Sequence, residues 1–275
     1  IIIIGMHRSG TTLVTGLLAQ AGVYIGRRLG RNNEALYFRQ LNRWLLAQGS
    51  GTWTRPMGFA NVLEDPQSRS LAADYLRTSF KFPRNSAFWG CPLLGGNRHH
   101  AWGWKDPRTP FPLPLWLELF PEAQVINVER HGVDVAESLV VRRNRSLTRS
   151  RERFQKRRPL YRFLPKRGEL VDTPRLARRD PALQLWTEYM AEGRRRTEAL
   201  GDNALTIRYE TLLESPDNEL DRLADFCGLD LDPGARRELT ASLDPGRAFA
   251  YREDPELRQF AAERAQLLKT FGYQP

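Results

Sequence analysis

The chain has 275 residues, of which 41% are hydrophobic and 10% aromatic, so it can bury a core and is not a disordered protein. Its 42 lysines and arginines outnumber its 32 acidic residues, which indicates an anionic ligand or surface as a partner. Two scattered cysteines, Cys91 and Cys227, exclude a disulfide framework and a paired-thiolate zinc site, and no apolar run approaches the length of a membrane span. We therefore expect both thiols to be free and the protein to be cytoplasmic.

Strand and helix signals alternate along the chain. Ile1–Ile4 is a β-branched run typical of a buried strand, and Gly22 ends the helical spacing of apolar residues that follows it. Ser215 before Pro216 has the composition of a helix N-cap. The predicted strands cover residues 1–4, 123–130 and 204–209, and the predicted helices cover residues 13–21, 35–48 and the segments after Gly132 and Ser215. This alternation predicts a three-layer α/β fold, in which a central, mostly parallel sheet is flanked by helices.

The interval from Arg142 to Glu169 is strongly basic and interrupts this alternation. It also contains Phe154, Tyr161 and Phe163, which a purely solvated tail would not need. One interpretation is an insertion with an exposed cationic face, and the alternative is a mobile cover over an anionic substrate or a contact with an acidic membrane surface. Nucleic acid is not expected as a partner, because no zinc finger, helix-turn-helix or RNA-binding signature accompanies the charge. We predict one domain over residues 1–275, with this basic insertion at about residues 142–169.

The stretch GMHRSGTT, from Gly5 to Thr12, has the outline of a phosphate-binding loop between a strand and a helix. Gly5 and Gly10 have the spacing of a Walker A loop, but Thr11 stands where that motif requires a lysine for the β- and γ-phosphates. Arg8 offers a different cation, and hydroxyls lie beside amides at a helix N-terminus, which favours anions. A simple tight turn would not require this combination. A P-loop kinase or NTPase remains an alternative, weakened by the missing lysine.

RSGTT after a β-branched strand resembles the 5′-phosphosulfate loop of the sulfotransferases that use 3′-phosphoadenosine 5′-phosphosulfate (PAPS). VERHGVDVAES resembles the family segment in which an arginine and a serine eight residues later hold the 3′-phosphate, here Arg130 and Ser138. IRYETLLESPDNELDRLADFCGLDLDP resembles the segment that brings a tyrosine, here Tyr209, near the adenine. WGWKDPRT is similar to the Lys-Asp-Pro segment of tyrosylprotein-type and bacterial members, whose lysine, here Lys105, faces the sulfuryl group. The resemblance implies a P-loop-type fold and a set of donor-binding residues: His7, Arg8, Ser9, Gly10, Thr11, Thr12, Arg130, Ser138 and Tyr209.

Sulfuryl transfer requires positive charge at the departing oxygen and a base at the acceptor. We assign the first role to Arg8 and Lys105 and expect no metal ion, because the reaction does not need two phosphates to be bridged. Branches of the family use either a histidine or a glutamate that follows the first helix. Glu34, in GRNNEALYF, is the preferred catalytic base, although an acid there could serve only the helix dipole. His99 and His100 are the rival candidates.

Two further features, the pair Asp106 and Arg108 and the residue His7, have two interpretations each. Asp106 and Arg108 either orient Lys105 or meet the acceptor, or they form a buried ion pair. His7 either contacts the acceptor or packs inside the loop. A metal site at Cys91 with the two adjacent histidines is not favoured, because the spacing lacks a fourth ligand.

The predicted activity is therefore the transfer of a sulfuryl group from PAPS to an acceptor hydroxyl on a carbohydrate, glycolipid or small metabolite. The by-product is 3′-phosphoadenosine 5′-phosphate (PAP). The basic interval favours an acidic or lipid-linked acceptor and a peripheral membrane contact, and the excess of arginine over lysine is typical of a bacterial, GC-rich gene. Besides a kinase or NTPase, a non-catalytic protein that binds anions or membrane surfaces is the remaining alternative.

Overall fold

A computed structural model describes residues 1–81, 83–90, 101–166, 174–241 and 243–275. The chain divides into two compact units, the first formed by residues 1–130 and 188–250 and the second by residues 131–187 and 251–275. The prediction of one domain stays a prediction, because compactness alone does not test whether the units fold together. Among the described residues, no helix has the length and apolar composition needed to cross a membrane.

A parallel sheet of four strands forms the centre of the first unit. The strands are β1 (Ile2–Gly5), β2 (Trp104–Lys105), β3 (Val125–Glu129) and β4 (Ala204–Arg208), arranged in the order β2-β1-β3-β4. Ile2 pairs with Trp104 on one side and with Val125 on the other, and Gly5 pairs with Val128. The predicted α/β fold with a parallel sheet is thus confirmed. Because the strands are parallel, the carboxyl ends of β1, β2 and β3 lie at one edge, where ligands bind in such sheets.

Helices account for most of the remaining described residues. They are α1 (Thr11–Gln20), α2 (Leu36–Gln48), α3 (Phe59–Glu64), α4 (Pro66–Ser79), α5 (Ser86–Trp89), α6 (Leu113–Leu119), α7 (Gly132–Arg157), α8 (Arg179–Leu200), α9 (Tyr209–Glu214), α10 (Pro216–Cys227), α11 (Pro233–Ala241), α12 (Pro255–Glu263) and α13 (Ala265–Thr270). The four helices predicted from sequence correspond to α1, α2, α7 and α10. Ser215 precedes α10 as expected, but its side chain makes no capping hydrogen bond.

The core of the first unit has an aliphatic and an aromatic part. Ile3, Val14 and Ile126 belong to the aliphatic part, in which β1, β3 and β4 meet α1 and α10. In the aromatic part the ring of Phe38 on α2 stacks on that of Trp104 on β2, with centroids 4.0 Å apart. This stacking fixes α2 against β2, and it thereby sets the position of the residue that follows Trp104 in the chain, Lys105.

The second unit is helical in its described part. His131 caps α7 by accepting a hydrogen bond from the amide of Val133 through Nδ1, and its ring stacks on Tyr251 with centroids 4.3 Å apart. The amide of Tyr251 donates to Oδ1 of Asp134 at 2.8 Å. The helix α7 then continues without interruption to Arg157. The basic interval predicted as an insertion therefore begins inside a helix and not at a loop.

Candidate active site

The loop between β1 and α1 has an unusual backbone. Gly5, Arg8 and Gly10 have positive φ angles of 133°, 76° and 95°. The hydroxyl and the amide of Ser9 both donate to the carbonyl of Met6, at 2.7 and 3.2 Å, and they close the loop on itself. The amides of the first residues of α1 point out of its N-terminus, because the first turn of a helix has no carbonyls to bind them. The loop thus presents donors and a partial positive charge at the ligand edge of the sheet.

Gly10 is required for steric reasons as well as for its φ angle. A Cβ atom at this position would collide with the ring of Tyr209, the first residue of α9. Tyr209 was predicted at a strand end, and it follows β4 directly. The guanidinium of Arg130 lies over the same ring, 4.5 Å from its centroid. Arg130 also donates to the carbonyls of Arg8, at 3.4 Å, and Arg247, at 3.2 Å. The loop after β1, the end of β3 and the start of α9 therefore meet.

Lys105 and Glu34 meet beside this loop. The Nζ atom of Lys105 lies 3.7 Å from Oε1 of Glu34 and donates to the hydroxyl of Thr12 at 3.4 Å. The hydroxyl of Thr12 in turn donates to the carbonyl of Asn32 at 3.3 Å. Lys105 is 1% exposed and Glu34 is 6% exposed. Burial lowers the pKa of Lys105 below its ordinary value, although the negative charges of Glu34 and Asp106 oppose this shift.

Glu34 lies in a short turn before α2 and not in the first turn of that helix. Its carbonyl accepts a hydrogen bond from the amide of Gly30 at 2.8 Å, and Asn33 before it has a φ angle of 55°. Arg39 on α2 approaches Oε2 of Glu34 to 3.7 Å. The carboxylate therefore lies between two cations. A role in the helix dipole alone, which the sequence left open, does not account for this burial against Lys105.

Asp106, which is fully buried, forms an ion pair with the partly buried Arg108; an ion pair was one of the alternatives that the sequence allowed. Oδ1 of Asp106 accepts hydrogen bonds from Nη1 of Arg108 at 2.9 Å and from its amide at 3.1 Å. Burial raises the pKa of Asp106, against the opposing effect of the Arg108 charge. Oδ2 of Asp106 accepts from Nδ2 of Asn42, which also donates to the hydroxyl of Thr109. Oδ1 of Asn42 accepts from Nε1 of Trp116 at 2.7 Å.

Sequence reasoning did not single out Asn42. No local pattern marks it, because in the sequence a buried asparagine cannot be told apart from any other polar residue on the apolar side of an amphipathic helix. Its three hydrogen bonds join α2 to the segment that follows Lys105 and to α6. It therefore ties the catalytic candidate on β2 to the helix that follows Glu34.

His7 is buried at 5% exposure, and which of its two interpretations holds stays a prediction. Its ring lies edge-on to Trp53, with centroids 4.3 Å apart. The carbonyl of Trp53 accepts a hydrogen bond from the hydroxyl of Tyr189 at 2.8 Å, and the ring of Tyr189 contacts Phe111. The sequence did not mark these aromatic residues as part of a site. Trp53 lies between α2 and α3, Tyr189 lies on α8, and Phe111 precedes α6.

The other residues singled out in the sequence are Ser138, the two cysteines and the two adjacent histidines. Ser138 lies in the second turn of α7, in the second unit, and it is partly buried. Cys227 is a free thiol, and burial raises its pKa to about 11. The rival bases His99 and His100, as well as Cys91, lie outside the described residues. Within the described ranges, no group of three or more histidine, cysteine or acidic side chains could hold a metal ion.

Comparisons with known proteins identify the family. The sequence matches the sulfotransferase family over residues 1–233. A search of curated proteins gave no match. The chain is similar to a sulfotransferase domain from the curacin biosynthetic pathway, with 16% sequence identity, 96% of each chain covered and a TM-score of 0.49. It is also similar to the sulfotransferase domain of the Synechococcus PCC 7002 olefin synthase, with 22% identity, 100% of this chain and 94% of that chain covered and a TM-score of 0.46. A sulfotransferase from Mycobacterium avium has 16% identity, with 100% of this chain and 77% of that chain covered and a TM-score of 0.46.

The family match covers most of the chain, including the loop, Lys105 and Arg130. Sulfotransferases move a sulfuryl group from PAPS to an acceptor hydroxyl. The resemblance drawn from RSGTT and VERHGVDVAES is therefore confirmed, and the kinase and the non-catalytic alternatives are set aside. The chain belongs to the sulfotransferase family and is a PAPS-dependent enzyme.

Proposed function

We propose that the loop after β1 holds the phosphosulfate end of PAPS. Arg8 is exposed, and the loop ends at the positive N-terminus of α1, so a side-chain cation and backbone amides lie in the same short segment. The positive φ angles at Gly5, Arg8 and Gly10 fit such a cradle. The hydroxyl of Ser9 donates to the carbonyl of Met6, which holds this residue in the loop. The proposed loop contacts are His7, Arg8, Ser9, Gly10, Thr11 and Thr12.

The 3′-phosphoadenosine part is assigned to Arg130 and Tyr209 of the first unit, and the role of Ser138 stays a prediction from the family resemblance. Support comes from the stacking of Arg130 on Tyr209, because this contact holds a permanent cation at the carboxyl end of β3. Arg130 donates to the Arg8 carbonyl, so a hydrogen bond joins the proposed 3′-phosphate site to the proposed phosphosulfate loop. When bound, PAPS supplies the sulfuryl group and leaves as PAP.

Glu34 is proposed as the catalytic base and Lys105 as the cation that stabilises the leaving oxygen. The single observation that carries this assignment is the buried contact of Lys105 Nζ with Glu34 and with Thr12 of the phosphate loop. A buried ammonium group has a strong effect on charge that develops nearby, because little water screens it. Arg8 lies in the same loop as Thr12 and shares the role of Lys105. The carboxylate of Glu34 accepts the proton that the acceptor hydroxyl loses.

The acceptor carries a hydroxyl group, as the family requires. We propose that it is also acidic or lipid-linked, such as an acidic carbohydrate or a glycolipid. The support is the formal charge of +10, which raises the local concentration of anionic molecules. A cytoplasmic location, with peripheral contact to a membrane, is consistent with this acceptor and remains a prediction.

Calorimetric titration with PAP tests the donor site. The ligands are PAP, adenosine 5′-phosphosulfate, which lacks the 3′-phosphate, and ATP with magnesium. We expect PAP to bind most tightly, and we expect Arg130→Ala to weaken PAP far more than adenosine 5′-phosphosulfate. Arg178→Ala, an exposed arginine of the second unit, is the matched control. Equal losses for both ligands, or a preference for ATP, would remove Arg130 from the 3′-phosphate site.

A further inference from the structure

The segment of residues 142–166 holds the charge imbalance of the whole chain. It contains 11 of the 42 basic residues and one of the 32 acidic residues, so the rest of the chain holds 31 of each sign. The formal net charge of +10 is therefore concentrated in this one segment. Charges gathered in this way act on a partner at close range instead of spreading a weak field over the surface.

The charge is displayed along the outer part of α7. The first turns of this helix bury Val133, Val135 and Leu139 in the second unit, whereas nearly all basic side chains from Arg145 onward are exposed. One stripe of basic residues recurs at spacings of three or four along one face of the helix: Arg145, Arg149, Arg153 and Lys156. Like charges at this spacing destabilise an isolated helix, so a local stability role does not explain the stripe.

Large apolar side chains are exposed next to this basic face. A 3₁₀ turn, Arg158–Arg162, follows α7 at Pro159. Leu160 is 54% exposed, Phe163 85% and Leu164 63%. The amides of Phe163 and Leu164 both donate to the carbonyl of Leu160, at 3.1 and 3.0 Å, which holds the three residues in one turn. A single exposed leucine is ordinary, but three large apolar side chains in five residues form a patch of the kind that binds a partner.

We propose that this surface, residues 145–164, docks the enzyme on a lipid bilayer that contains anionic lipids. The basic stripe is complementary to acidic headgroups, and Leu160, Phe163 and Leu164 insert at the boundary between headgroups and acyl chains. A polyanion such as nucleic acid would match the charge alone and would leave the apolar patch exposed to water. The inference rests on the second unit alone and does not depend on the assignment of any catalytic residue.

Vesicle sedimentation with the full chain tests this proposal. The vesicles contain either phosphatidylcholine alone or phosphatidylcholine with about one third phosphatidylserine. We expect binding to the phosphatidylserine vesicles, weakened by salt, and little binding to phosphatidylcholine. Replacing Arg149, Arg153 and Lys156 by glutamine should weaken binding by about a hundredfold, since each basic residue near an anionic surface contributes roughly a factor of five.

The matched control removes three exposed basic residues from other parts of the chain. The triple variant Lys81→Gln, Arg178→Gln and Lys269→Gln lowers the net charge by the same amount and should bind vesicles like the unchanged protein. If both triple variants lose the same affinity, the effect reflects net charge and the docking surface is wrong.

The apolar patch is tested by the double variant Phe163→Ser and Leu164→Ser, which changes exposed side chains and should leave the fold intact. We expect it to bind phosphatidylserine vesicles at least tenfold more weakly, yet to bind a duplex oligonucleotide as the unchanged protein does. Undiminished vesicle binding by this variant would overturn the proposal, because the segment would then be a general polyanion site.

Discussion

The ammonium group of Lys105 on β2 lies 3.7 Å from the carboxylate of Glu34, and both side chains are almost completely buried. A buried charge without a partner is costly, so each of the two depends on the other for its place in the fold. The same ammonium group contacts Thr12 in the first turn of α1, directly after the loop that follows β1. The contact thus links the proposed base to the proposed donor site.

Glu34→Gln should reduce kcat by about a hundredfold or more, because the amide fills the same space but accepts no proton. PAP should bind the variant with unchanged affinity in calorimetry, since Glu34 is not assigned to the nucleotide. Glu64→Gln, at the end of α3, provides a surface control with the same chemical change. A turnover equal to that of the unchanged enzyme would exclude Glu34 as the base.

The alkaline limit of activity should depend on Lys105. Its pKa is lowered by burial, so the ammonium group loses its proton below the ordinary pH for lysine, and kcat should fall there. Lys105→Arg keeps the positive charge, because arginine stays protonated throughout this range, and the alkaline limb should move to higher pH even if the maximal rate drops. An unchanged alkaline limb of the pH–rate profile in the arginine variant would show that Lys105 does not set the alkaline limit of activity.

The lowered pKa of Lys105 also predicts how the free energy of unfolding changes with pH. Between the lowered pKa of Lys105 in the folded protein and the ordinary value in the unfolded chain, the unfolded chain binds more protons. The contribution of Lys105 to the free energy of unfolding should therefore increase with pH in this window. Urea unfolding of the unchanged protein and of Lys105→Met across that pH range measures this difference.

Gly10→Ala should weaken PAP binding and destabilise the fold. The variant combines a φ angle of 95° with a collision between the new Cβ and the ring of Tyr209. Gly22→Ala separates the two effects, because Gly22 has a φ angle of 93° and no atom within 4 Å of the added Cβ. We expect Gly22→Ala to cost about 1 kcal/mol and to bind PAP normally. Equal stability losses in the two variants would show that the Tyr209 contact is unimportant.

Asn42→Ala should destabilise the enzyme by about 2–5 kcal/mol, since it removes hydrogen bonds from three buried groups at once. These groups are Asp106, Thr109 and Trp116. The variant leaves Arg108 paired with Asp106 through Oδ1, so partial activity should remain at low temperature. Asn61→Ala, on the exposed side of α3, controls for the loss of an asparagine from a helix. A free energy of unfolding within 0.5 kcal/mol of the unchanged value, roughly that of a neutral surface substitution, would contradict this role.

Local features were readable from the sequence. The β-branched run before Gly5, the glycine spacing of the loop and the alternation of strands with helices predicted the parallel α/β fold, because these patterns depend on neighbours in the chain. The same features carried the resemblance to the sulfotransferases. Helix bounds were also nearly correct where amphipathic periodicity was strong, as in α2, predicted over residues 35–48 and observed at Leu36–Gln48. The roles of individual site residues stay predictions.

Tertiary structure alone decided which of these residues meet. The contact of Lys105 with Glu34, the ties of Asn42 to Asp106 and the packing of Tyr209 on Gly10 all join segments that are distant in sequence. Such contacts follow from the order of the strands and from how helices pack on the sheet, and no local pattern encodes either. The structure likewise shows that α7 extends beyond its buried first turns into the basic interval, as far as Arg157. Charge composition located the basic interval, and the fold decided that its side chains are exposed along a helix.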